Sequence, residues 1–216
     1  MTRATDRFLH LDEAKQLRIL EAATTEFAQH GYERANTNRI AQAAGISVGA
    51  LFKYFPTKQD IFAYVVDRAE NLLESVISQQ LNPSEVTSVL DGVDTMLRIV
   101  AESCITHRDA TLMYLTLAGL NNEQFATETA IHLEDYPSQL YIELLEAGQA
   151  AGEIRSDIPA ATLAFLTDNI FMSLQQALIS DYYVARRTLY LGDQPVADLI
   201  AQTSAYLRAA LAAPKG

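Results

Sequence analysis

One cysteine and four histidines are the side chains of this sequence best suited to nucleophilic catalysis or metal binding. Cys104 and His107 lie three residues apart, a spacing that could pair a thiol nucleophile with a base on one helix face. The histidines show no metal-binding spacing, and the sequence contains no glycine-rich phosphate loop and no nucleophile elbow. A buried thiol beside an ordinary histidine explains the pair better than catalysis. We therefore expect no enzyme, no metal and no cofactor, and keep a small helical enzyme as an alternative.

The more informative spacing lies between Thr37 and Tyr54, where Ala41, Gly45 and Leu51 stand four and six residues apart. Two short helices that cross closely need a small side chain at the crossing, which is Ala41. The turn between them needs a residue that tolerates a positive φ, which is Gly45. Leu51 supplies the apolar contact of the second helix. This pattern predicts a helix-turn-helix.

The start of the second helix carries small side chains that could approach another surface closely. Ser47 can cap this helix, and its first turn then presents Val48, Gly49 and Ala50 outward. Small residues allow a helix to enter the DNA major groove, where valine and alanine can contact thymine methyl groups. The alternative is a turn with no binding role.

Several short elements follow one another between Leu17 and Val66: Ala22-Ala23-x-x-x-Phe27, Gly31-Tyr32, Ile40-Ala41, Ala44-Gly45-Ile46-Ser47 and Leu51-Phe52-x-Tyr54-Phe55-x-x-Lys58. In this combination the segment resembles, without a gap, the DNA-binding domain of the tetracycline-repressor (TetR) family. It implies a transcriptional regulator whose partner is double-stranded operator DNA.

The resemblance also implies roles for individual residues. It places phosphate contacts at four positions: Thr37, Lys53, Tyr54 and Lys58. It places a base contact at Asn38. Phe52 departs from the family, which more often has tyrosine there, so we assign Phe52 to packing. The alternative for Lys53 and Lys58 is solvated surface lysine.

The charge of the chain is divided unevenly along its length. The 216 residues carry a net charge of −11, which taken alone argues against nucleic acid. Residues 1–60 hold 8 basic and 7 acidic side chains, whereas residues 61–216 hold 8 basic and 20 acidic ones. A nearly neutral head on an acidic body suits a protein whose DNA contact is confined to one small face.

Helical periodicity dominates the whole chain, and no strand pattern is present. We predict an all-α fold with helices over these ranges: 12–30, 37–44, 48–54, 58–80, 84–107, 109–120, 123–131, 137–151, 159–183 and 195–212. Residues 1–60 are expected to form a three-helix helix-turn-helix domain. Residues 61–216 are expected to form a larger helical domain for ligand sensing and dimerisation.

The last predicted helix carries a long apolar stripe of Val196, Leu199, Ile200, Thr203, Leu207 and Ala210. The resemblance implies that the last two helices of two subunits pack as a four-helix bundle. A homodimer also suits DNA, because two recognition helices must reach successive major grooves. The alternative is that the stripe completes the core of one subunit.

The larger domain contains residues that could line a pocket for a small, largely apolar effector, with apolar walls and a few polar groups. They are Met96, Val100, Cys104, Tyr114, Leu117, Tyr141, Phe165, Asn169 and Met172. For each of them, ordinary core packing is the alternative. A second alternative for the whole protein is control by a protein partner or by redox chemistry at Cys104.

The remaining features concern location. The N-terminal residues form no apolar run, and the most apolar stretch, 158–179, contains polar side chains that lipid disfavours. We expect no membrane span. A single cysteine excludes an internal disulfide and agrees with a reducing cytoplasm.

Overall fold

The computed structural model describes residues 4–80, 88–119 and 123–214, and these residues form an all-α structure, as the sequence predicts. The helices are α1 (Asp6–Leu9), α2 (Glu13–Arg34), α3 (Thr37–Ala43), α4 (Val48–Tyr54), α5 (Lys58–Gln80), α6 (Val89–Thr106), α7 (Arg108–Leu115), α8 (Glu123–Ala150), α9 (Ala160–Ile179), α10 (Asp181–Leu191) and α11 (Val196–Leu211). A short 3-10 turn, Thr116–Gly119, follows α7.

Polar side chains begin the helices where the sequence predicts caps. Asp12 accepts a hydrogen bond from the Lys15 backbone at 2.9 Å. Thr57 and Asp60 form a reciprocal pair, in which the Asp60 backbone donates to Thr57 Oγ1 at 3.1 Å and the Thr57 backbone donates to Asp60 Oδ2 at 3.0 Å. These bonds satisfy N–H groups that the first turn of a helix leaves without partners.

The helices differ from the sequence prediction at several places. The helix α1 was not predicted, because four residues provide too little periodicity. The predicted helix 159–183 is divided at Ser180, whose extended backbone (φ −88°, ψ 123°) interrupts the helical bonding, and α10 continues beyond the predicted end to Leu191. The two predicted helices 123–131 and 137–151 are instead one helix, α8. The segment predicted as helical from residue 84 to 87 lies outside the described residues.

The chain forms two compact units. Unit 1 contains Met1–Leu73 and Asp109–Ala126, and unit 2 contains Glu74–Arg108 and Thr127–Gly216. Helix α5 begins in unit 1 and continues into unit 2. The functional division at residue 60 remains a prediction, since compactness alone does not assign a role to either part.

The core of unit 1 is formed by aromatic and branched side chains. Phe27 packs against Phe62 with ring centroids 5.0 Å apart, and Tyr32 lies 4.9 Å from the same ring. Thr25 of α2 donates to Asp109 at the start of α7, at 3.2 Å. The fully buried side chains of this unit include Phe8, Ile19, Phe27, Ile40, Leu51, Phe55, Ile61 and Phe62.

The core of unit 2 lies among α6, α8, α9 and α11. Its buried members include Val93, Leu97, Leu145, Leu163, Phe171, Leu174 and Leu207. The carboxylate of Glu153 accepts from the Val89 and Leu90 backbone at 2.9 and 3.0 Å, and so caps α6. The segment between α8 and α9, which contains Glu153, also binds the end of α11, where the Arg155 backbone donates to the Leu211 carbonyl at 2.8 Å.

Part of the apolar stripe of α11, which was predicted as a dimer contact, packs within its own subunit. Leu207 is buried in the core of its own unit, and Leu199 and Ile200 pack against that core. The alternative reading of the stripe, completion of the subunit core, therefore accounts for these three residues. The large hydrophobic side chains that α9, α10 and α11 leave exposed lie at other positions.

Candidate nucleic-acid interface

The turn between α3 and α4 has the geometry that the sequence predicts. Gly45 adopts φ 68°, a conformation that favours glycine because it crowds any Cβ. The Ile46 backbone donates to the Ala41 carbonyl at 3.0 Å. Ala41 and Leu51 are buried between the two helices. The two helices thus pack as the close pair that a helix-turn-helix requires.

The first turn of α4 is fixed by a cap and presents small residues. Ser47 Oγ accepts from the Ala50 backbone at 3.1 Å, as predicted for a cap. Gly49 is exposed, and Val48 and Ala50 are half-buried. A Cβ built on Gly49 would meet no atom within 4 Å. Packing within the chain therefore does not require glycine at this position, and the absence of a side chain at residue 49 needs a different explanation.

Helix α3 begins beside this surface. Asn36 caps it by accepting from the Asn38 backbone at 2.8 Å, a contact that the sequence reasoning missed although asparagine is a common cap. The Asn38 side chain is exposed and Thr37 is half-buried. Both predicted contact residues therefore lie at the start of α3, with Asn38 the more accessible.

An ion pair that sequence reasoning missed, between the buried Glu26 of α2 and the exposed Arg39 of α3, holds the two helices together. Arg39 binds the Glu26 carboxylate through its Nε at 2.9 and 3.0 Å and through Nη2. Glu26 is buried and also accepts from the Asn36 backbone at 2.8 Å. The hydrogen bond from Arg39 is the main cause that holds the pKa of Glu26 below its usual value. The ion pair fixes the position of the start of α3. Because the Arg39 guanidinium is engaged with Glu26, it is not one of the basic groups left available to bind phosphate.

The two lysines among the predicted phosphate contacts differ in the contacts they already make within the chain. Lys53 is exposed on α4. Lys58 donates to the Glu33 carbonyl at 3.1 Å and lies 4.8 Å from the centre of the Tyr32 ring. A cation held in this way contributes to packing within unit 1. Its contact with phosphate remains a prediction, and Lys53 is the more available of the two lysines.

The N-terminal helix α1 supports the far end of α4. The Thr5 backbone donates to the Tyr54 carbonyl at 2.9 Å, and Thr5 Oγ1 donates to the Lys53 carbonyl at 2.9 Å. Phe8 is fully buried, with its ring 4.7 Å from Phe55. These bonds satisfy carbonyls that the last turn of a helix leaves open. Tyr54 is thereby fixed in place and is half-buried.

Four of the residues predicted for the sensor site lie together in unit 2. Met96, Val100 and Tyr141 pack against its core, and Cys104 is buried one turn beyond Val100 on α6. The Cys104 thiol donates to the Val100 carbonyl at 3.3 Å. Burial raises the pKa of this thiol to about 11. The ring of Tyr141 lies 6.3 Å from that of Phe171, which the sequence reasoning did not include.

The other predicted sensor residues are not part of this group. Phe165 is 68% exposed, and the exposed Asn169 donates to the Phe165 carbonyl at 2.7 Å, which supplies the partner its amide needs. Met172 is half-buried on α9. Tyr114 and Leu117, both half-buried, belong to unit 1. Their roles remain predictions.

In the part of the chain that the structure describes, no three His, Cys, Asp or Glu side chains are grouped so that they could hold a metal ion. Within the same residues, every helix is too short or too polar to cross a membrane.

Comparison with known proteins agrees with the geometry of unit 1. Residues 19–65 match the family described as bacterial regulatory proteins, tetR family. A transcriptional repressor of the HTH type from Streptomyces coelicolor is 29% identical over 157 residues, covering 71% of this chain and 74% of that protein. The HTH-type regulator YfiR of Bacillus subtilis is 26% identical over 213 residues, covering 94% and 95%.

The similarity of fold extends over the whole chain. The crystal structure of a TetR family regulator from Chloroflexus aurantiacus has a TM-score of 0.73 and 20% identity, and the match covers 97% of this chain and 98% of that one. The Streptomyces coelicolor and Bacillus subtilis relatives are named as regulators of transcription. The helix-turn-helix and the family match over residues 19–65 show that the chain carries a TetR-family DNA-binding domain, and with the named relatives they support a transcriptional regulator of that family.

Proposed function

We propose that the chain is a dimeric repressor that binds operator DNA through α3 and α4 and is released when unit 2 binds a small, largely apolar effector. The single observation that carries the DNA contact is the outer face of α4. Gly49 is exposed there, with open space around it, although alanine would favour the helix. Internal packing would allow a side chain at position 49. Because the side chain is nevertheless absent, this surface suits close approach to the edges of base pairs.

The residues around Gly49 provide the rest of the proposed contact. Ser47, Val48 and Ala50 lie on the same first turn of α4, and Lys53 follows one turn later. Small groups on the first turn would meet base edges, and the lysine ammonium would meet phosphate. Asn38 adds an exposed amide at the start of α3, suited to a bidentate contact with adenine. Thr37, Tyr54 and Lys58 are proposed as further phosphate contacts.

The dimer is supported by large apolar side chains that the chain leaves exposed in unit 2. They are Phe165 and Leu166 on α9, Tyr182, Leu189 and Tyr190 on α10, and Tyr206 on α11, with exposed fractions of 68, 50, 71, 87, 75 and 63%. Helix α10 buries none of its residues in its own chain. Exposed apolar groups in such number are typical of an interface, and we propose that a second copy covers them.

An effector site in unit 2 is favoured over redox control through Cys104. The thiolate is the reactive form of cysteine, and a pKa of about 11 leaves very little of it at neutral pH. Cys104 is also 98% buried, since only 2% of its surface is exposed. These two properties make Cys104 a packing residue. Control by a protein partner remains the alternative.

Release would follow from linkage between the two binding events. If the effector prefers an arrangement of the dimer that spaces the two α4 helices wrongly for DNA, its binding lowers operator affinity, and DNA lowers effector affinity by the same factor. Helix α5 is the proposed connection, because it continues without a break from unit 1 into unit 2.

The test is a titration of the protein–operator complex with fractions of a metabolite extract. Fractions that raise the melting temperature of the free protein contain a ligand of the folded state. We expect the same fractions to dissociate the operator complex, followed by fluorescence anisotropy. A fraction that stabilises the protein and strengthens the complex would contradict release and indicate a co-repressor. If no metabolite fraction dissociates the complex but a protein fraction from the same cells does, the partner alternative is correct.

A further inference from the structure

The short helix α1 is fixed at both of its ends. At its start, the hydroxyl of Thr5 donates to the Lys53 carbonyl and the backbone of Thr5 donates to the Tyr54 carbonyl, both at 2.9 Å. At its end, the side-chain amide of Gln16 on α2 donates to the Leu9 carbonyl at 3.2 Å. A helix of four residues has no stability of its own, so these contacts determine where its side chains lie.

The rotation of α1 about its axis is fixed by Phe8. The Phe8 side chain is fully buried, and its ring lies 4.7 Å from that of Phe55 and 5.5 Å from that of Tyr64. Successive side chains of a helix point about 100° apart, since one turn contains about 3.6 residues. Arg7 is therefore turned away from the core, and its side chain is exposed.

Arg7 is close to the end of α4, because Thr5, two residues before it, is bonded there. Two residues of extended chain span at most about 7 Å, which limits the distance between the Arg7 and Thr5 Cα atoms. The carbonyls that Thr5 binds belong to Lys53 and Tyr54, which are two of the proposed phosphate contacts. The exposed cations of Arg7 and Lys53 are thus carried by two segments that are bonded directly to each other.

The Arg7 guanidinium is available to bind a ligand. Within the described part of the chain it makes no ion pair and no hydrogen bond. Asp6 is its neighbour in sequence, but adjacent residues of a helix do not face each other. Arg7 therefore keeps its charge and its N–H donors for a group outside the chain.

Helices α3 and α4 carry few cations for a contact with DNA. Their two basic side chains are Arg39 and Lys53, and Arg39 is bound to the Glu26 carboxylate. Contacts with phosphate supply most of the non-specific affinity for DNA and a large part of the specific affinity. One available cation would supply little of either, so the proposed interface needs basic groups from the segments that border it. Arg7 is such a group.

We propose that Arg7 is a further phosphate contact and that the DNA interface extends from α3 and α4 onto α1. This inference rests on the proposed function, since it adds a residue to the same contact with DNA. The guanidinium would donate two parallel N–H groups to the oxygens of one phosphate, next to the phosphate bound by Lys53. Such a contact fixes the position of the protein on DNA and carries no sequence preference.

The experiment measures the affinity of the full-length protein for two DNA duplexes over a range of salt concentrations, by fluorescence anisotropy. One duplex comes from just upstream of the gene of this protein, and the other is scrambled DNA of the same composition. Arg7→Gln removes the charge and Arg7→Lys keeps it. Arg98→Gln, at an exposed position of α6 in unit 2, is the matched control. Melting temperatures show whether each variant is folded.

The expected result is a change in salt dependence. Each phosphate contact releases counterions, so the logarithm of the association constant falls against the logarithm of the salt concentration with a slope of about −0.9 per contact. We expect Arg7→Gln to weaken binding to both duplexes by the same factor and to make both slopes less steep by about 0.9. Arg7→Lys and Arg98→Gln should keep the wild-type slopes.

The proposal is overturned if folded Arg7→Gln keeps the wild-type slopes, or if Arg7→Lys flattens them as much as Arg7→Gln does, since charge would then not be the cause. A loss confined to the upstream duplex also overturns it, because Arg7 would then read bases. If the wild type binds both duplexes equally and Arg7→Gln still flattens the slopes, the phosphate contact stands and the proposed operator binding at this site fails. A wild type that binds neither duplex overturns both.

Discussion

At the scale of single residues, the role of Gly49 separates what folding requires from what binding requires. The backbone of Gly49 is helical and a Cβ there would meet no atom within 4 Å, so alanine fits the folded chain. By contrast, Gly45 has a positive φ and is required by the turn itself. The two glycines stand four residues apart and owe their identity to different causes.

We predict that Gly49→Ala stabilises the protein and weakens DNA binding. Replacing glycine by alanine inside a helix contributes about 0.5–1 kcal/mol to the free energy of unfolding. The added methyl group would also occupy space that we assign to a base pair, and we expect operator affinity to fall by about tenfold or more. Urea unfolding and fluorescence anisotropy measure the two effects. Glu102→Ala on the exposed surface of α6 is the control, and unchanged operator affinity in Gly49→Ala would refute the assigned contact.

Residue types and spacing carried the prediction of the turn, because the requirements at Ala41, Gly45 and Leu51 are local. They did not reveal the partners of Lys58, since the Glu33 carbonyl and the Tyr32 ring come together with it only in the folded chain. The Glu26–Arg39 pair was missed for the same reason: a glutamate in an amphipathic helix has no sequence mark that it will be buried.

At the scale of elements, α1 shows how a short helix can stabilise a functional one. The four residues of α1 have no stability of their own, and α1 is held by the burial of Phe8 and by the Thr5 contacts with the end of α4. Helix α4, the proposed recognition helix, is only seven residues long, so its position depends on such contacts.

Phe8→Ala tests this dependence. Removing a fully buried phenylalanine typically costs about 3–5 kcal/mol, and we expect a loss of that order in the free energy of unfolding, measured with urea. Leu9→Ala, at the exposed neighbouring position, should change it by no more than about 0.5 kcal/mol. Equal effects of the two substitutions would show that α1 does not pack as described.

The Glu26–Arg39 pair predicts a pH dependence of the contact between α2 and α3. Because the pKa of Glu26 in the folded chain is below its usual value of 4.5, the pair stabilises the fold fully above that value and less as the pH falls through the folded pKa. We expect the free energy of unfolding to decrease from about pH 5 to about pH 3, and to decrease less steeply in Glu26→Gln. Identical slopes would mean that Glu26 does not contribute.

The boundaries of elements could be predicted where a residue type enforces them. Gly45 and Gly192 have a positive φ and lie where the sequence predicts a turn and a helix end. Gly31, the predicted end of the first long helix, also has a positive φ (66°), but it interrupts α2 internally and helical residues follow it to Arg34. Ser180 separates α9 from α10, and no glycine or proline lies there, so the sequence offered no local indication of the break. The continuity of α8 between residues 131 and 137 was likewise not visible in the local sequence.

At the scale of the whole molecule, the dimer is the feature on which the proposed operator binding depends. One short recognition helix provides few contacts, and two of them held at the spacing of successive major grooves, about 34 Å, provide affinity and specificity together. Three of the six residues of the α11 stripe, Leu199, Ile200 and Leu207, pack within their own subunit, which became visible only in the folded chain, and the dimer through the last helices stays a prediction.

We predict that Phe165→Glu separates the subunits. A carboxylate at an exposed position costs little in a monomer but would be buried at the proposed interface. Size-exclusion chromatography with light scattering should show a monomer, and operator affinity should fall by about tenfold or more. Ile105→Glu on α6, also exposed, should remain dimeric. If the wild type is already a monomer, the interface proposed here does not exist.

The most direct test of the central claim is fluorescence anisotropy of the purified wild-type protein on DNA from just upstream of its own gene and on scrambled DNA of the same composition, at physiological salt. We expect sequence-selective binding, with a Kd on the order of 10⁻⁸ M or lower for the upstream DNA and far weaker binding to the scrambled DNA. If that DNA and fragments selected from the whole genome all bind no better than scrambled DNA, α3 and α4 do not read an operator and the account is contradicted.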